Sequence, residues 1–456
     1  MPLTARHRQL AQRALAALIL LAAVILFWLR PAATPPGFFL DEPSITLNAA
    51  CIAATGHDEY GTRLPLFFRA FGEYKQPVYV YMQAALFLVL PAELLTARLF
   101  SMALGFLAVA VLLWLVARLD FGDITRNPLF VAVAAFVCLL SPWLLVISRF
   151  PVECTLVPLV VILQLACAYF LLRTGSLRWA ILDGVAIGLG AYVYHSLKII
   201  PPVHFAILGL VALVQLRRQR RPLVAIAVAA ATCALVLVPL ALDLLGARHS
   251  MARYAGVSGH FSLDSLARLF FLHFNPRFFF FRGDANLRHH YQFLGELNLV
   301  FLILWPAGII DCILRARRGD VFPGYLLLIT IACFIPASLS DDGPPHALRS
   351  SAALMPMLLT SAYGFSRLWP FIQRQFAAQI IAALVIALAL AQGIFGAIHY
   401  QTTYDQMSAR YWRDEQRLAN IRANPHDIPT TNHNDNTIFE RLYRVTDRKE
   451  YRYCGQ

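Results

Sequence analysis

The sequence predicts an all-α, polytopic membrane protein. Hydrophobic residues make up 59% of its 456 positions, and the mean hydropathy is +0.59. Charged residues are 14%, against roughly 25% in ordinary soluble domains. Apolar runs of about 16 to 25 residues recur along the whole chain, each long enough for a helix to cross a hydrocarbon core. No soluble fold hides that much apolar surface. The net charge of +13 does not indicate nucleic acid, because the arginines fall in short clusters between apolar runs and no basic tract interleaved with aromatics is present.

Eleven runs read as spans: Leu15–Leu29, Leu99–Leu119, Leu129–Ile147, Cys154–Leu172, Trp179–Tyr194, Ile199–Leu216, Leu223–Leu242, Leu294–Leu314, Val321–Leu339, Ala352–Leu368 and Ala377–Ile398. The first follows Arg6, Arg8 and Arg13 and ends in the interfacial anchor Phe27-Trp28-Leu29-Arg30, so it reads as an uncleaved span rather than a signal. Val78–Pro91 is only about 14 residues, a length typical of re-entrant or interfacial segments.

Whether Val78–Pro91 crosses sets the orientation of everything after it. If it does not, Arg118 and Arg126, Arg173 and Arg178, Arg217 to Arg221, Arg315 to Arg318, and Arg367 and Arg374 all face inward with the basic N-terminus. If it does, those clusters face outward, against the positive-inside rule. The segment is therefore expected to lie in the outer interface. Residues 1–398 then form the membrane unit, with four outer segments: 30–98, 148–153, 243–293 and 340–351. The aromatic-rich 243–293 segment suggests interfacial helices. A polar tail, 399–456, joins the same side. The eight cysteines contain no Cys-x-x-Cys pair. Cys51 and Cys454 both fall outside the spans on one side, which leaves a disulfide open to them.

The outer segments hold the candidate chemistry. Asp41-Glu42 follows the first span by about a dozen residues, where ionisable groups near hydrocarbon are costly and point to function. The plainer reading is a helix start, since acids and Pro43 suit a first turn. Glu153 opens a span on the same side. It is either an intramembrane carboxylate near Asp41 or the partner of Arg149 one turn away. Lys75, Arg349, Arg98, Lys198 and His346 supply outer-face basic groups, natural partners for phosphate. For Arg98 and Lys198 snorkelling is the simpler reading. Asp284 with His289-His290 hints at a metal, but adjacent histidines point apart and no third ligand stands at a known spacing. No cofactor is therefore expected, and no spacing supports a divalent ion. No Gly-rich phosphate loop or dinucleotide fingerprint is present. Carboxylates that take a proton and cations that offset a leaving phosphate suit glycosyl transfer from a lipid-linked sugar phosphate.

Five elements together resemble the GT-C polyprenyl-phosphate-sugar transferases, whose members include protein O-mannosyltransferases and lipid A aminoarabinose transferases. Asp41-Glu42 is similar to their acidic pair in the first outer loop. Lys75-Gln76-Pro77 resembles a Lys-Pro-Pro element, with Gln76 replacing a proline. Arg98-Leu99-Phe100-Ser101 resembles Arg-Leu-Pro-Ser, with Phe100 replacing proline. Ser148-Arg149 with Glu153 is similar to the second acidic loop, and His346 to Pro356 to a late Arg-to-Pro element. The likeness runs from Leu15 to about Ile398.

The resemblance implies a GT-C-like fold and an inverting glycosyltransferase. Its donor would be a polyprenyl-phosphate sugar and its acceptor a glycan, lipid or protein, at the outer face of a bacterial-type inner membrane. It implies Asp41 as base, with Glu42 and Glu153 beside it, and Lys75, Arg349, Arg98 and His346 toward donor phosphate. Membrane lipids are partners and nucleic acid is not. A transporter or flippase for a lipid-linked or anionic solute is the alternative. It predicts mid-span charges and internal repeats, whereas Asp183 and Asp311 are expected near span ends. A polymerase or ligase of lipid-linked polysaccharide, with a diphosphate donor, is a third reading.

Overall fold

The structure is a computed structural model. It describes residues 5–37, 39–215, 221–246, 249, 262–340, 343–409, 412, 423, 436–451 and 454. Its elements are almost all helical, and the protein is a multi-pass membrane protein. Among the described residues, six helices are long and apolar enough to cross a membrane: Gln9–Trp28, Leu94–Val116, Glu153–Thr174, Leu223–Leu245, Val321–Ser338 and Phe376–Thr402. Pro128–Leu139 and His195–Val211 are shorter apolar helices.

In chain order the helices are α1 (Ala5–Trp28), α2 (Asp41–Thr55), α3 (Pro77–Phe87), α4 (Leu94–Val116), α5 (Pro128–Leu139), α6 (Pro142–Ile147), α7 (Val157–Thr174), α8 (Leu177–Gly190), α9 (Ile200–Gln215) and α10 (Arg221–Leu245). There follow α11 (Leu263–Leu272), α12 (Phe301–Arg317), α13 (Val321–Ala332), α14 (Ile335–Ser338), α15 (Leu354–Arg374), α16 (Phe376–Thr402), α17 (Tyr404–Ser408) and α18 (Asn436–Thr446). Each run read as a span contains helix, but Leu129–Ile147 breaks into α5 and α6, and Leu294–Leu314 is helical only from Phe301. The short apolar run became α3, 11 residues long, or roughly 16 Å at 1.5 Å per residue, about half of a hydrocarbon core.

Apolar side chains alone give little reason for helices to associate in lipid, so close backbone approach matters. Gly308 of α12 faces the Thr360 carbonyl of α15, and Gly364 of α15 faces the Leu304 carbonyl. A Cβ at either position would collide with backbone, so glycine lets these two helices pack tightly.

Polar ties also hold the bundle. His204 of α9 bridges Asp183 of α8 and Tyr325 of α13 at 2.9 Å on each side, all fully buried. Asp183 therefore stands mid-helix, not near a span end as the run boundaries suggested. The helix α8 begins at Leu177 and closes at Gly190, which recentres it. Asp311 meets Arg315 at 2.7 Å and Arg367 at 3.8 Å.

The first long loop between spans is built on α2 and a hairpin. Strands β1 (Phe68–Ala70) and β2 (Glu73–Lys75) pair antiparallel, Phe68 opposite Lys75 and Ala70 opposite Glu73. The Phe71-Gly72 turn has φ of 49° and 78°, the positive values that a two-residue hairpin turn requires. The tail lies back on this loop: α18 packs on α2, and Cys454 is disulfide-bonded to Cys51 of α2.

Candidate active site

The predicted outer segments meet at one cavity of about 710 Å³. Its lining includes Phe39, Asp41, Glu73, Lys75, Glu153, His195, Asp284, Arg288, His289, Ser340, His346 and Arg349. Asp41 and Glu153, more than a hundred residues apart, thus share one chamber.

A carboxylate cluster surrounds Lys75. Alternation along β2 puts Glu73 and Lys75 on one face, and their side chains meet at 2.7 Å. Asp41, at the start of α2, reaches the same Nζ at 2.9 Å. Burial alone would lower the Lys75 ammonium, but Asp41, Glu153 and Glu73 together raise it above its ordinary value. Lys75 is therefore held as a cation serving three acids. Glu73 was missed in the sequence, although its i, i+2 relation to Lys75 beside Phe71-Gly72 was a usable strand signal.

Glu153 accepts the backbone N–H of Gln76. A proline there, as in the motif this element resembles, has no N–H to give, so the departure at Gln76 carries a hydrogen bond of its own. The Gln76 side chain meets His195 Nε2 at 3.2 Å. The Arg149–Glu153 pair weighed from the sequence does not form, because the chain turns between α6 and α7. Arg149 instead donates to the Phe27 and Leu29 carbonyls at 2.6 and 2.7 Å, capping the end of α1.

Glu42 and Arg98 do not line the cavity. Arg98 is buried and meets Glu42 at 3.2 Å, and it donates to the carbonyls of Pro35 and Gly37. Burial raises the Glu42 carboxyl above its ordinary value, against the lowering pull of Arg98 and of the Phe39 N–H. Arg98 thus neither snorkels nor faces a donor. It fixes the turn that delivers Asp41.

A second cluster comes from two later loops. Asp284 Oδ2 lies 2.9 Å from His289 Nδ1 and 4.0 Å from His346 Nδ1, and it accepts the Ala347 N–H at 2.8 Å. These three side chains bring ligand atoms within 4.8 Å of one another. Burial would raise the Asp284 carboxyl, but His289, His346 and the Ala347 N–H hold it below the usual range. Burial, then His289 and Arg349, push His346 well below the usual imidazole value. Burial thus works against the charge expected of His346 toward phosphate. The cations of this part of the cavity are Arg349, which donates to Ser340 Oγ, and Arg288, stacked 4.0 Å over Phe39. Arg288 went unnoticed in the sequence because nothing local links residue 288 to residue 39.

The whole architecture can be matched to solved structures. ArnT from Cupriavidus metallidurans in the apo state aligns with a TM-score of 0.61 at 13% identity, over 95% of this chain and 85% of that one. The same protein bound to undecaprenyl phosphate gives 0.57 at 12% identity, over 94% and 84%. The chain has the GT-C fold. The archaeal oligosaccharyltransferase AglB from Archaeoglobus fulgidus, in complex with an inhibitory peptide and a dolichol-phosphate, shares that fold at 0.51 and 17% identity. The match covers 88% of this chain but 56% of AglB, so the GT-C unit here spans little more than half of that protein. No family model matches the sequence, and no curated protein matches it.

Proposed function

We propose that this GT-C protein is an inverting glycosyltransferase that moves a sugar from a polyprenyl phosphate to a glycan, lipid or protein acceptor. The reaction would take place at the outer face of a bacterial-type inner membrane. The observation that carries this reading is the single cavity lined by Asp41 and Glu153 together with Arg288 and Arg349. ArnT and AglB structures with bound polyprenyl-type phosphates support the donor class.

Asp41 is the base. Its side chain is 30% exposed while paired to Lys75, whereas Glu42 is fully enclosed. The acceptor hydroxyl gives its proton to Asp41 as its oxygen bonds to the sugar's anomeric carbon. The bond from that carbon to the phosphate oxygen breaks with its electron pair, leaving polyprenyl phosphate. Charge developing on the phosphate is offset by Arg349 and Arg288. Because Lys75 already serves three carboxylates, its first task is to hold Asp41 and Glu153 in place.

A transporter needs an ionisable site open at mid-membrane. Asp183 is packed against His204 and lines neither the outer cavity nor the apolar groove of about 550 Å³ bordered by Leu112, Phe130 and Trp369. The deciding experiment supplies radiolabelled sugar on polyprenyl phosphates to membranes containing wild type or Asp41→Asn. Transfer by wild type and its loss in the variant are expected. Equal transfer by both would remove Asp41 from the mechanism.

A further inference from the structure

We propose that Asp284, His289 and His346 form a binding site for one first-row divalent metal ion, best matched by Zn²⁺, in the lining of the outer cavity.

Two imidazoles aim Nδ1 at the same carboxylate oxygen, at 2.9 and 4.0 Å. An ordinary Asp–His hydrogen bond explains one of these approaches but not both. The second histidine arrives from a loop 57 positions further along the chain, and the two rings lie 4.5 Å apart, tilted by 36°. Two imidazole nitrogens and a carboxylate oxygen are a ligand set suited to zinc. Ligands about 2.0–2.2 Å from a tetrahedral zinc stand about 3.3 Å from one another. The 2.9 and 4.0 Å edges bracket that spacing, so small side-chain rotations close the site.

The ligands are also held from behind, as metal ligands commonly are. The Asp284 N–H donates to Glu296 at 2.8 Å, and Asp284 Oδ1 accepts the Asn286 N–H at 2.8 Å. The His346 N–H donates to His273 Nε2 at 3.3 Å. His346 Nδ1 receives the Arg349 N–H at 3.4 Å, a distance long enough to yield to a metal. His290 turns the other way, buried against the Gly295 carbonyl at 3.3 Å. The adjacent histidines do diverge, as the sequence suggested, and the missing third ligand came from His346.

The histidines retain 11% and 14% side-chain exposure and Asp284 3%, and all three line the cavity. A fourth coordination position would therefore open into it, beside Arg349. Three protein ligands and one open position describe a site that takes a substrate oxygen. The ion and Arg349 together would draw a phosphate oxygen of the donor. That last role rests on the proposed glycosyl transfer; the binding of the ion does not.

The test uses the full chain in lipid nanodiscs, with its purification tag removed. The protein is stripped with chelator, incubated with Zn²⁺, dialysed and assayed by mass spectrometry for metal. About one zinc per chain is expected. His346→Ala and Asp284→Asn should each cut retained zinc at least about tenfold, while Asp41→Asn keeps it. X-ray absorption at the zinc edge of wild type needs no variant, and should show two imidazoles and an oxygen donor. Sub-stoichiometric zinc in wild type, or equal zinc in the ligand variants, overturns the site. Stoichiometric zinc without sugar transfer would keep the site and sink the enzymatic reading; transfer without zinc would do the reverse.

Discussion

Asp41 and Glu42 are chain neighbours that begin the same helix, yet they lie in different regions of the molecule. Asp41 faces the cavity and shares Lys75 with Glu73. Glu42 points into the protein and is enclosed with Arg98. Successive helical residues are about 100° apart around the axis, so one turn start can supply both a reactive wall and its foundation. A buried pair is strongly destabilised when one partner is removed, since the other charge is stranded. An accessible acid at a cavity costs little stability and can be spent on chemistry.

This contrast can be broken or sharpened experimentally. Asp41→Asn should reduce sugar transfer about 10²- to 10⁴-fold and leave the melting temperature nearly unchanged; matched losses of both would erase the distinction. Arg98→Met strands Glu42 and should cost about 3–5 kcal/mol, read as a lower unfolding temperature and yield. Adding Glu42→Leu should restore much of that stability, and a double variant as weak as the single one would show that Arg98 acts chiefly on the Pro35 and Gly37 carbonyls. Gln76→Pro is a finer probe, because Gln76 already has a φ of −78° compatible with proline. It removes the N–H that Glu153 accepts together with the side-chain contact to His195, with an expected cost of about 1–3 kcal/mol; Gln76→Ala, which keeps the N–H, supplies the control. Unaltered stability and transfer would mean that Glu153 is oriented by Lys75 alone.

The smallest effect concerns Glu59, which the sequence gave no reason to single out. Asn48 of α2 donates to it at 2.8 Å, and Arg441 of the tail helix approaches at 3.5 Å. Burial pushes its carboxyl up to about 7, against the pull of Arg441 and Asn48. A raised carboxyl favours the protonated folded form. Its stabilisation is complete below the unfolded value and lost as pH rises from about 4.5 to about 7. The stability of wild type should fall as pH rises across that window, and thermal melts of Glu59→Gln should show a flatter pH slope. An identical slope would take Glu59 out of the link between tail and α2.

Much of this was legible beforehand. Charge clusters between apolar runs placed the outer loops on one side, and the cavity gathers those same loops. The shortness of Val78–Pro91 anticipated α3. Cys51 and Cys454 were correctly placed on a common side, and they are joined. Other features were hidden by sequence distance. Arg98 read as a phosphate ligand because its carbonyl partners belong to an irregular turn. His346 read as a cation because what disfavours its charge, burial and the nearby His289 of another loop, leaves no mark in the local sequence.

The sequence by itself determined the helical membrane class, the likeness to GT-C transferases and the set of acids and bases in the loops between spans. Those properties follow from hydropathy, run length and charge, which are local and additive along the chain. Only the tertiary structure decided which of Asp41 and Glu42 meets the cavity, that Gln76 serves Glu153, and that Asp284 and His289 gain His346. Pairing and burial depend on which distant backbones the helices bring together, and no stretch of sequence carries that information alone.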